Sequence, residues 1–382
     1  MPRVNAPPPD ATVVVPNWNG KHHLERCFTS IAALDYPGRV EAVLVDNGSE
    51  DGSVEFMRRR FPDVGLITNP GNEGFARACN AGAAAASTPV VAFLNNDMRV
   101  DPRWLRALTD AMGGDVRCVG SKILSWDGKE LNFAGGAMNF HGIGVQRGLG
   151  ERDLARFDDE ADSLFACGGG MAIDRALFLE AGGFDEGFFA FYEDVDLGWR
   201  LWVRGERVRY VPTSVAYHHH SATANRVDVH LMRRLHVRNP LLTLFKNYDD
   251  ENLRRALPAA LLLSLRRTKY LLALDERGWS LEEGARPRTG PLAVLRTRID
   301  ARRNRVSVPR AGIADILAIN DLLDDLPGWI DRRREVQAAR RRPDAEIVPL
   351  FVEPRRPAED PREYLEIQDE LLRFLGLDDV LG

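Results

Sequence analysis

The stretch that decides the fold is Val90-Val91-Ala92-Phe93-Leu94-Asn95-Asn96-Asp97, an apolar run that ends in polar residues. A short, continuous apolar run is typical of a strand that is buried on both faces of a parallel sheet. Asp97 then follows the carboxyl end of this strand, at the edge where open α/β sheets bind ligands. A carboxylate at that edge suits a divalent cation, although Asn-Asn-Asp is also an ordinary turn sequence.

Predicted strands and helices alternate along this part of the chain, which indicates a parallel sheet with right-handed crossovers. The pattern predicts strands at 12–16, 42–46, 64–68 and 90–94, and helices at 22–34, 53–60, 75–86 and 102–112. Each strand leads into polar or glycine-rich residues, at 17–20, 46–49, 69–72 and 95–97. Because these loops share one edge of the sheet, we expect them to form a binding crevice.

Composition and charge narrow the class of protein. The chain has 382 residues, enough for one domain plus an extension, and its net charge of -5 gives no electrostatic reason to expect nucleic acid as a partner. The four cysteines are far apart without a CxxC pair, which favours reduced thiols in a cytoplasmic protein. The most apolar stretch, 257–274, is interrupted by Pro258, Arg266, Arg267 and Lys269 and falls short of the ~20 apolar residues of a membrane span. The expected location is the cytoplasm, with the inner face of the membrane as an alternative.

Six motifs in sequence order resemble those of family 2 glycosyltransferases, the inverting, metal-dependent kind, and in particular the rhamnosyltransferase-like branch. They are Val14-Val15-Pro16-Asn17-Trp18-Asn19, Val45-Asp46-Asn47-Gly48-Ser49-Glu50-Asp51-Gly52-Ser53, Asn69-Pro70-Gly71-Asn72-Glu73-Gly74-Phe75-Ala76, Asn80-Ala81-Gly82, Leu94-Asn95-Asn96-Asp97 and Phe191-Tyr192-Glu193-Asp194-Val195-Asp196-Leu197. The resemblance extends from about residue 12 to about residue 248.

This resemblance implies a GT-A fold, in which a mostly parallel, Rossmann-like α/β sheet is flanked by helices. We expect a disordered lead at 1–10, the catalytic domain at 11–225 and a helical extension at 226–382. The implied donor is a nucleoside-diphosphate sugar, dTDP-rhamnose first and UDP-sugars next. The implied acceptor is a glycan or a lipid-linked glycan of the cell surface.

The resemblance also assigns donor-binding residues. Asp46 matches the aspartate that recognises the nucleobase, and Asn47 follows it in a turn that brings the backbone close to the ligand. Asn72 and Gly74 shape the next loop. Arg77 either reaches the donor phosphates or is an ordinary surface arginine. The other donor residues that the resemblance implies are Pro16, Asn17, Asn19, Asn95, Asn96 and Asp97.

A divalent cation is expected to hold the donor diphosphate. Asp97 resembles the last acid of the family's DXD motif, although Asn95 replaces the first acid. The family places a histidine at the position of the run His218-His219-His220, so His218 is the first choice for a second ligand and His220 the next. An imidazole beside an oxygen ligand suits Mn²⁺ better than Mg²⁺.

Glu193 and Asp194 are the expected catalytic pair. Apolar residues at helical spacing follow them, which places both carboxylates in the first turn of a helix, where the helix dipole favours the ionised form. Acids are also common there simply because they stabilise the helix. By resemblance Asp194 is the general base, while Glu193 and Asp196 orient the acceptor or the loop. Further residues predicted to position the sugar or acceptor are Gly168, Gly169, Gly170, Trp199 and Arg200.

The second half of the chain predicts a short strand pair at 208–211 and 214–217, then amphipathic helices at 253–274, 312–326 and 363–374. Linkers are expected at 284–290 and 343–361. Four interpretations stay open for the arginine clusters at 302–303, 332–334 and 340–342. They are contact with an anionic membrane surface, contact with a lipid-diphosphate acceptor, a solvated helical extension, and contact with a second copy in a homo-oligomer. For the whole protein, a nucleotidyltransferase or a non-catalytic sugar-binding protein are the alternatives to glycosyl transfer.

Overall fold

The computed structural model describes residues 8–152, 154–219, 228–272, 310–352, 354–357 and 362–381. The predicted linker at 284–290, the arginine pair at 302–303 and most of the predicted lead lie outside these residues.

The described strands form one large mixed sheet and a separate hairpin. They are β1 Ala11–Asn17, β2 Val40–Asp46, β3 Gly65–Thr68, β4 Val90–Leu94, β5 Met98–Val100, β6 Val116–Ser125, β7 Leu131–Phe133, β8 Gly136–Met138, β9 Gly144–Gln146, β10 Ala161–Asp162, β11 Gly170–Asp174 and β12 Arg207–His218. The large sheet has the order β10-β12-β6-β11-β4-β1-β2-β3, with β5 beside β12 and β7 beside β6. Strands β1 to β4 run parallel to one another, and β11 is antiparallel to both β4 and β6.

The helices of the first half flank this sheet, and those of the second half form the extension. They are α1 Lys21–Ala32, α2 Ser53–Arg60, α3 Phe75–Ala85, α4 Trp104–Asp110, α5 Arg175–Glu180, α6 Glu193–Val203, α7 Val229–Asn247, α8 Asp250–Leu272, α9 Arg310–Asp324, α10 Leu326–Ala338, α11 Asp344–Ile347, α12 Arg362–Phe374 and α13 Asp378–Leu381. Short 3₁₀ helices occur at Leu154–Phe157, Glu186–Phe188 and Val348–Phe351. The alternating elements predicted for residues 12 to 112 are confirmed.

Burial explains why the central strands read as continuous apolar runs. All of β4 and the segment Val13 to Val15 of β1 are buried, because helices cover both faces of the sheet. A side chain at Gly82 of α3 would place its Cβ 2.3 Å from a methyl group of Val14. The glycine therefore lets α3 pack directly on β1.

The strand pair predicted at 208–211 and 214–217 is wrong, because these residues belong to the single strand β12, which runs parallel to β6. The pairing register shifts between Val211 and Val215, so Pro212 and Thr213 fall in an irregularity of the ladder. A proline in a strand is tolerated at such a place since no ladder hydrogen bond is required of it. The predicted turn is an irregular point in a continuous strand.

The extension packs against the sheet domain through buried aromatic and polar contacts. Trp199 of α6 lies edge-on to Tyr248 and Phe351, with ring centroids 4.8 and 5.3 Å away. Arg333 of α10 donates hydrogen bonds to the carbonyls of Phe245 (2.7 Å) and Tyr248 (2.6 Å), near the end of α7. The helical extension is thus continuous with the core.

These contacts correct one prediction about the tail. The linker expected at 343–361 contains α11 and a 3₁₀ helix, and its Ile347 and Phe351 are buried in the core. Arg340 and Arg342 donate to the backbone carbonyls of Asn247 and Gly205 and therefore serve the fold, whereas the Arg334 side chain is 75% exposed. Among the described helices, none combines the length and the apolar character needed to cross a membrane.

Candidate active site

The ends of the parallel strands bring the predicted nucleotide-binding residues together. Asn17 and Asp46 are paired in the register of β1 and β2, so their side chains emerge side by side. Asp46 accepts hydrogen bonds from Asn17 Nδ2 (2.8 Å) and from the backbone N–H of Ser49 (2.8 Å). Asn96 Nδ2 in turn donates to Asn17 Oδ1 at 2.6 Å, which ties the end of β4 to β1. These buried bonds hold the Asp46 carboxylate in one orientation.

Pro16 and Asn19 lie at the two sides of this network. Pro16 is the penultimate residue of β1, opposite Val45 in the ladder. Asn19 has a positive φ of 51°, its N–H donates to Ser49 Oγ at 2.7 Å, and its Oδ1 accepts from the N–H of Glu50 at 2.8 Å. Asn19 therefore ties the loop after β1 to the loop after β2.

A second loop closes the same side of the crevice. Asn47 Nδ2 donates to the carbonyl of Gly74 at 3.0 Å, and Asn72 Oδ1 accepts from the Gly74 N–H at 3.1 Å. Gly74 has a φ of +89°, and a Cβ there would lie 2.4 Å from the carbonyl oxygen of Phe189. Both facts require glycine. The loop at 69–74 therefore touches the aromatic segment that precedes the predicted base.

Arg77 lies on α3, one turn beyond this loop. Its Nε donates to Glu186 Oε2 at 2.9 Å, and about half of the arginine side chain is exposed. The structure thus places Arg77 in a surface ion pair that links α3 to the segment before α6. Of the two alternatives given for Arg77, this position agrees with an ordinary surface arginine.

Asp97 and His218 are brought together at the other side of the crevice. The antiparallel pairing of β5 with β12 sets His218 opposite Met98, next to Asp97 in sequence. Asp97 Oδ1 lies 3.3 Å from His218 Nε2, and the carboxylate is 6% exposed. The N–H of His219 donates to the Asp97 carbonyl at 3.0 Å, which fixes the register of the two segments. His220 lies outside the described residues.

Asp97 and His218 together offer a metal ion one carboxylate and one imidazole as ligands. Within the part of the chain that the structure describes, no group of three or more His, Cys, Asp or Glu side chains is placed to hold a metal ion. A cation that bridges a diphosphate needs fewer protein ligands, because phosphate oxygens and waters fill the remaining positions. An oxygen and a nitrogen ligand side by side fit Mn²⁺ in that arrangement.

The glycine segment connects the metal side of the crevice to the predicted base. Gly170 pairs with Leu94 at the end of β4, and the N–H of Asn95 donates to the Gly169 carbonyl at 3.0 Å. A Cβ on Gly169 would lie 2.6 Å from the Asn95 side chain, so a larger residue there would displace that side chain. Gly168 donates its N–H to Asp194 Oδ2 at 2.9 Å. Gly168, Gly169 and Gly170 therefore span the distance from Asn95 to Asp194.

Glu193 and Asp194 begin α6, as predicted. Asp194 accepts from the N–H groups of Gly168 and Val195, whereas Glu193 Oε2 is buried and has no hydrogen-bond partner among the described residues. Burial raises the pKa of Asp194 above its ordinary value. Burial, together with the charge of Asp194, raises the pKa of Glu193 much further. The pKa values of the two carboxyls therefore differ, and Asp194 loses its proton before Glu193 as pH rises.

The segment before these acids has an unusual backbone that the sequence did not reveal. Phe189, Phe191 and Tyr192 have φ values of 66°, 66° and 71°, a region that costs non-glycine residues energy. Asn239 of α7, which is fully buried, donates to the carbonyls of Phe191 (2.7 Å), Ala190 (3.0 Å) and Phe188 (3.2 Å). The only hint in the sequence is an asparagine within the apolar part of a helix.

Asp196, Trp199 and Arg200 lie beneath the crevice, in the interior. Asp196 accepts from Arg200 Nε (2.7 Å) and from Lys246 Nζ (2.8 Å). Arg200 also donates to the carbonyl of Gly183 at 2.7 Å, and Trp199 is fully buried. The polar atoms of Asp196 and Arg200 are directed at α7 and the 181–183 turn, so any positioning of the sugar or acceptor by these three buried residues can only be indirect. They support α6 from below.

Comparisons with known proteins identify the family of this chain. The model of the family described as Glycosyl transferase family 2 matches residues 12–181. The N-acetylglucosaminyl-diphospho-decaprenol L-rhamnosyltransferase of Mycobacterium tuberculosis is 30% identical over 239 residues, covering 56% of this chain and 77% of that protein. The pre-mycofactocin glycosyltransferase of the same species is 30% identical over 214 residues, covering 55% of this chain but only 43% of that protein. The chain therefore spans less than half the length of the latter relative.

Two solved structures share the fold. One is GalNAc-T7 with UDP, GalNAc and Mn²⁺, at a TM-score of 0.53 and 18% identity, over 79% of this chain and 58% of that chain. The other is the mannosyltransferase PcManGT of Pyrobaculum calidifontis with GDP-Man and Mn²⁺, at a TM-score of 0.50 and 20% identity, over 84% of this chain and 90% of that chain. The predicted GT-A architecture is confirmed by these neighbours. By the extent of the rhamnosyltransferase match, together with the matching family model, the chain belongs to glycosyl transferase family 2.

Proposed function

We propose that this glycosyltransferase transfers a sugar from a nucleoside-diphosphate donor to a hydroxyl of a glycan or lipid-linked acceptor, with inversion and with Asp194 as the general base. Rhamnose is the first candidate sugar, because a relative at 30% identity, matched over 77% of its length, is named for rhamnosyl transfer. We place the reaction in the cytoplasm or at the inner face of the membrane. The observation that carries the proposal is the continuity of β4 and β11, which join Asp97 to Asp194 through Asn95 and the three glycines.

Each side of the crevice would perform one task. Asp46 keeps unused lone pairs on both carboxylate oxygens, so it can accept from the imide N–H of thymine or uracil. Asp97 and His218 would hold Mn²⁺, which neutralises charge on the departing diphosphate. The same metal accompanies both structural neighbours.

At the opposite side, Asp194 would take the proton of the acceptor hydroxyl as its oxygen attacks the anomeric carbon. The two backbone N–H groups that bind this carboxylate fix its direction without neutralising it. Glu193 keeps its proton more strongly and cannot serve as the base while Asp194 is ionised. The roles of Gly168, Gly169 and Gly170 are then to let the sugar approach the backbone between the two acids.

The first test is a donor panel of dTDP-rhamnose and UDP-sugars with Mn²⁺, in which the released nucleotide is identified. Glycosyl transfer or donor hydrolysis releases nucleoside diphosphate. A nucleotidyltransferase would instead release pyrophosphate when it is given a nucleoside triphosphate and a sugar 1-phosphate, which are tested beside the panel. No turnover with any of these substrates would indicate a sugar-binding protein.

The second test is Asp194→Asn, which keeps the side-chain shape and removes the proton acceptor. Turnover should fall by about 10² to 10⁴, the usual contribution of a general base, while donor affinity changes little. Glu193→Gln is the matched control at the neighbouring position and should cost less. If Asp194→Asn keeps near-parental turnover, the assignment of the base is wrong.

A further inference from the structure

Two arginines from different elements meet at one tryptophan on the surface near the crevice. The guanidinium carbons of Arg26 on α1 and Arg99 on β5 lie 5.7 and 5.0 Å from the ring centroid of Trp126, the residue that follows β6. Arg99 also lies over the Tyr217 ring, 3.8 Å from its centroid. The exposed His219 makes a T-shaped contact with Trp126, with ring centroids 5.5 Å apart. These five side chains are here called the arginine–tryptophan patch.

Strand geometry separates this patch from the proposed metal ligands. Arg99 is the second residue after Asp97, so their Cα atoms are at most about 7 Å apart. In the ladder between β5 and β12, Arg99 is paired with Tyr217, and Met98 is paired with His218. Successive side chains of a strand point to opposite faces, and Met98 is buried in the core. A ligand on the patch would therefore lie next to the metal site but on the other face of these two strands.

Neighbouring acids do not offset the positive charge of the patch. Arg26 is exposed, and within the described part of the chain it forms neither an ion pair nor a side-chain hydrogen bond. Arg99 donates one hydrogen bond, from Nη2 to the carbonyl of Trp126 at 3.3 Å, and forms no ion pair with a described carboxylate. The two acids that adjoin the patch in sequence pair with cations outside it: Glu25 with Arg60, and Asp127 with Lys129. The patch therefore keeps a net positive charge in a protein whose overall charge is -5.

Two guanidinium groups held against aromatic rings suit a doubly charged oxyanion. A ring fixes the plane of an arginine, while the N–H groups at the edge of the guanidinium stay available for bidentate hydrogen bonds to oxyanions. The contact with Tyr217 therefore preorganises Arg99 without using its N–H groups. Because Arg26 and Arg99 lie against the same indole, one ligand can contact both. A phosphate or diphosphate with two negative charges matches this pair better than a single carboxylate does.

We propose that the arginine–tryptophan patch binds the phosphate or diphosphate group of a ligand, as a site separate from the donor diphosphate at the metal. Two sources have this chemistry: a free nucleoside diphosphate, which is the product of the proposed reaction, and the phosphate of a lipid headgroup. In the first case the patch would hold the departing product at the rim of the crevice. The inference rests on the proposed function only for that role, since phosphate binding can be measured without any sugar transfer.

The test is calorimetric titration of the full chain with inorganic diphosphate in the presence of chelator, which removes any metal from the donor site. Arg26→Gln/Arg99→Gln should raise the dissociation constant about tenfold or more, because each substitution removes a charge-assisted hydrogen-bond donor. Arg26→Gln alone should also weaken binding, and it covers the case in which the double variant fails to fold, since this exposed side chain makes no hydrogen bond to the described residues. Asp97→Ala should not weaken binding, because the patch is separate from the metal site.

The matched control is Arg58→Gln/Arg59→Gln, since both arginines of α2 are exposed and lie outside the patch. It should bind diphosphate like the parent. Co-sedimentation with vesicles of phosphatidylglycerol and phosphatidylcholine, compared with phosphatidylcholine alone, separates the two sources. Sedimentation that Arg26→Gln/Arg99→Gln abolishes would identify the lipid headgroup, whereas diphosphate binding without sedimentation would identify a free ligand.

Three outcomes would overturn the inference. They are a parent that binds neither diphosphate nor anionic vesicles, binding of both probes that persists in the double variant of the patch, and an equal loss of binding in the α2 control. If diphosphate binding behaves as expected but no donor is turned over, the proposed function fails and the phosphate site stands.

Discussion

At the scale of single residues, two adjacent carboxyls are separated in acidity by their surroundings. The raised pKa of Asp194, caused by burial, means that the proposed base is protonated over a wider acidic range than an ordinary aspartate. Because only the ionised form accepts a proton, kcat/KM should rise with pH through the raised pKa. A pH–rate profile checks this, and an acid limb at the ordinary aspartate range would contradict it.

Glu193→Gln should leave that acid limb where it is. The pKa of Glu193 is raised well above its ordinary value, so Glu193 still carries its proton when Asp194 ionises, and an amide replaces it without a change of charge. The same profile measured on this variant is the check. A limb that moves with the substitution would show that the two groups titrate as one pair.

The free energy of unfolding should fall as pH rises through the raised pKa of Asp194, the range in which kcat/KM rises. A carboxyl whose pKa is raised by folding contributes stability below its unfolded pKa and loses that contribution as pH rises through the folded pKa. Asp194→Asn cannot ionise, so its Tm at neutral pH should equal or exceed that of the parent. A clearly lower Tm would mean that the bonds from Gly168 and Val195 stabilise the fold more than burial of the charge costs.

Metal binding gives another prediction for single residues. Asp97→Ala should abolish Mn²⁺-dependent donor binding, because it removes the only carboxylate beside His218 among the described residues near this strand end. His218→Ala should weaken the binding less, since a neutral ligand contributes less to charge compensation. Thermal shift with donor, with Mn²⁺ or with chelator, measures both. If only His220→Ala has an effect, His218 is the wrong histidine.

At the scale of elements, α7 determines where the base stands. Asn239→Ala would remove the donor that holds the carbonyls of Phe188, Ala190 and Phe191 in a strained conformation. We expect kcat to fall by about 10- to 100-fold, as a small displacement of a reacting group can cost that much, while KM for the donor changes little. Thr243→Val, one turn further along α7 and equally buried, is the control. An equal fall of kcat in both variants would show that Asn239 contributes only to general packing.

The elements differ in how far the sequence predicted them. The strands and helices from 12 to 112 follow period and turn chemistry, which are local, and they are confirmed. The division of β12 into two strands was wrong because Pro212-Thr213 has the composition of a turn, whereas pairing with β6 carries the chain straight through it. The positive φ values at 189, 191 and 192 could not be predicted, since aromatic residues rarely adopt them and a distant asparagine imposes them.

At the scale of the whole molecule, the extension is part of the fold. Arg333 is buried, and it satisfies carbonyls of Phe245 and Tyr248 that α7 leaves without helical partners. Arg333→Ala should lower the free energy of unfolding by about 1 to 3 kcal/mol, the usual cost of leaving buried carbonyls without a hydrogen-bond donor. Denaturant unfolding measures it, with Arg334→Ala, an exposed neighbour, as the control. If Arg333→Ala lowers the free energy of unfolding by no more than Arg334→Ala does, the extension contributes little to the stability of the sheet domain.

The arginine clusters show why a tail is hard to interpret from sequence. A run such as Arg340-Arg341-Arg342 has the same composition whether it faces lipid or the carbonyl ends of other segments, and only the folded chain places Asn247 and Gly205 within reach. The interior position of Asp196 was hidden for the same reason, because its partner Lys246 comes from a helix far along the chain. Partners distant in sequence leave no local periodicity.

The contact between Gly74 and the carbonyl of Phe189 limits how this enzyme can be rebuilt. A change of sugar nucleotide is often sought by exchanging the loop that binds the nucleotide between relatives. Here that loop has no room to shift without pressing on the segment that carries the acids, so the two segments form one exchangeable unit. A chimera that takes the loop at 69–74 from another enzyme without the segment at 186–194 should be stable but slow. One that takes both should inherit the other enzyme's donor together with its rate.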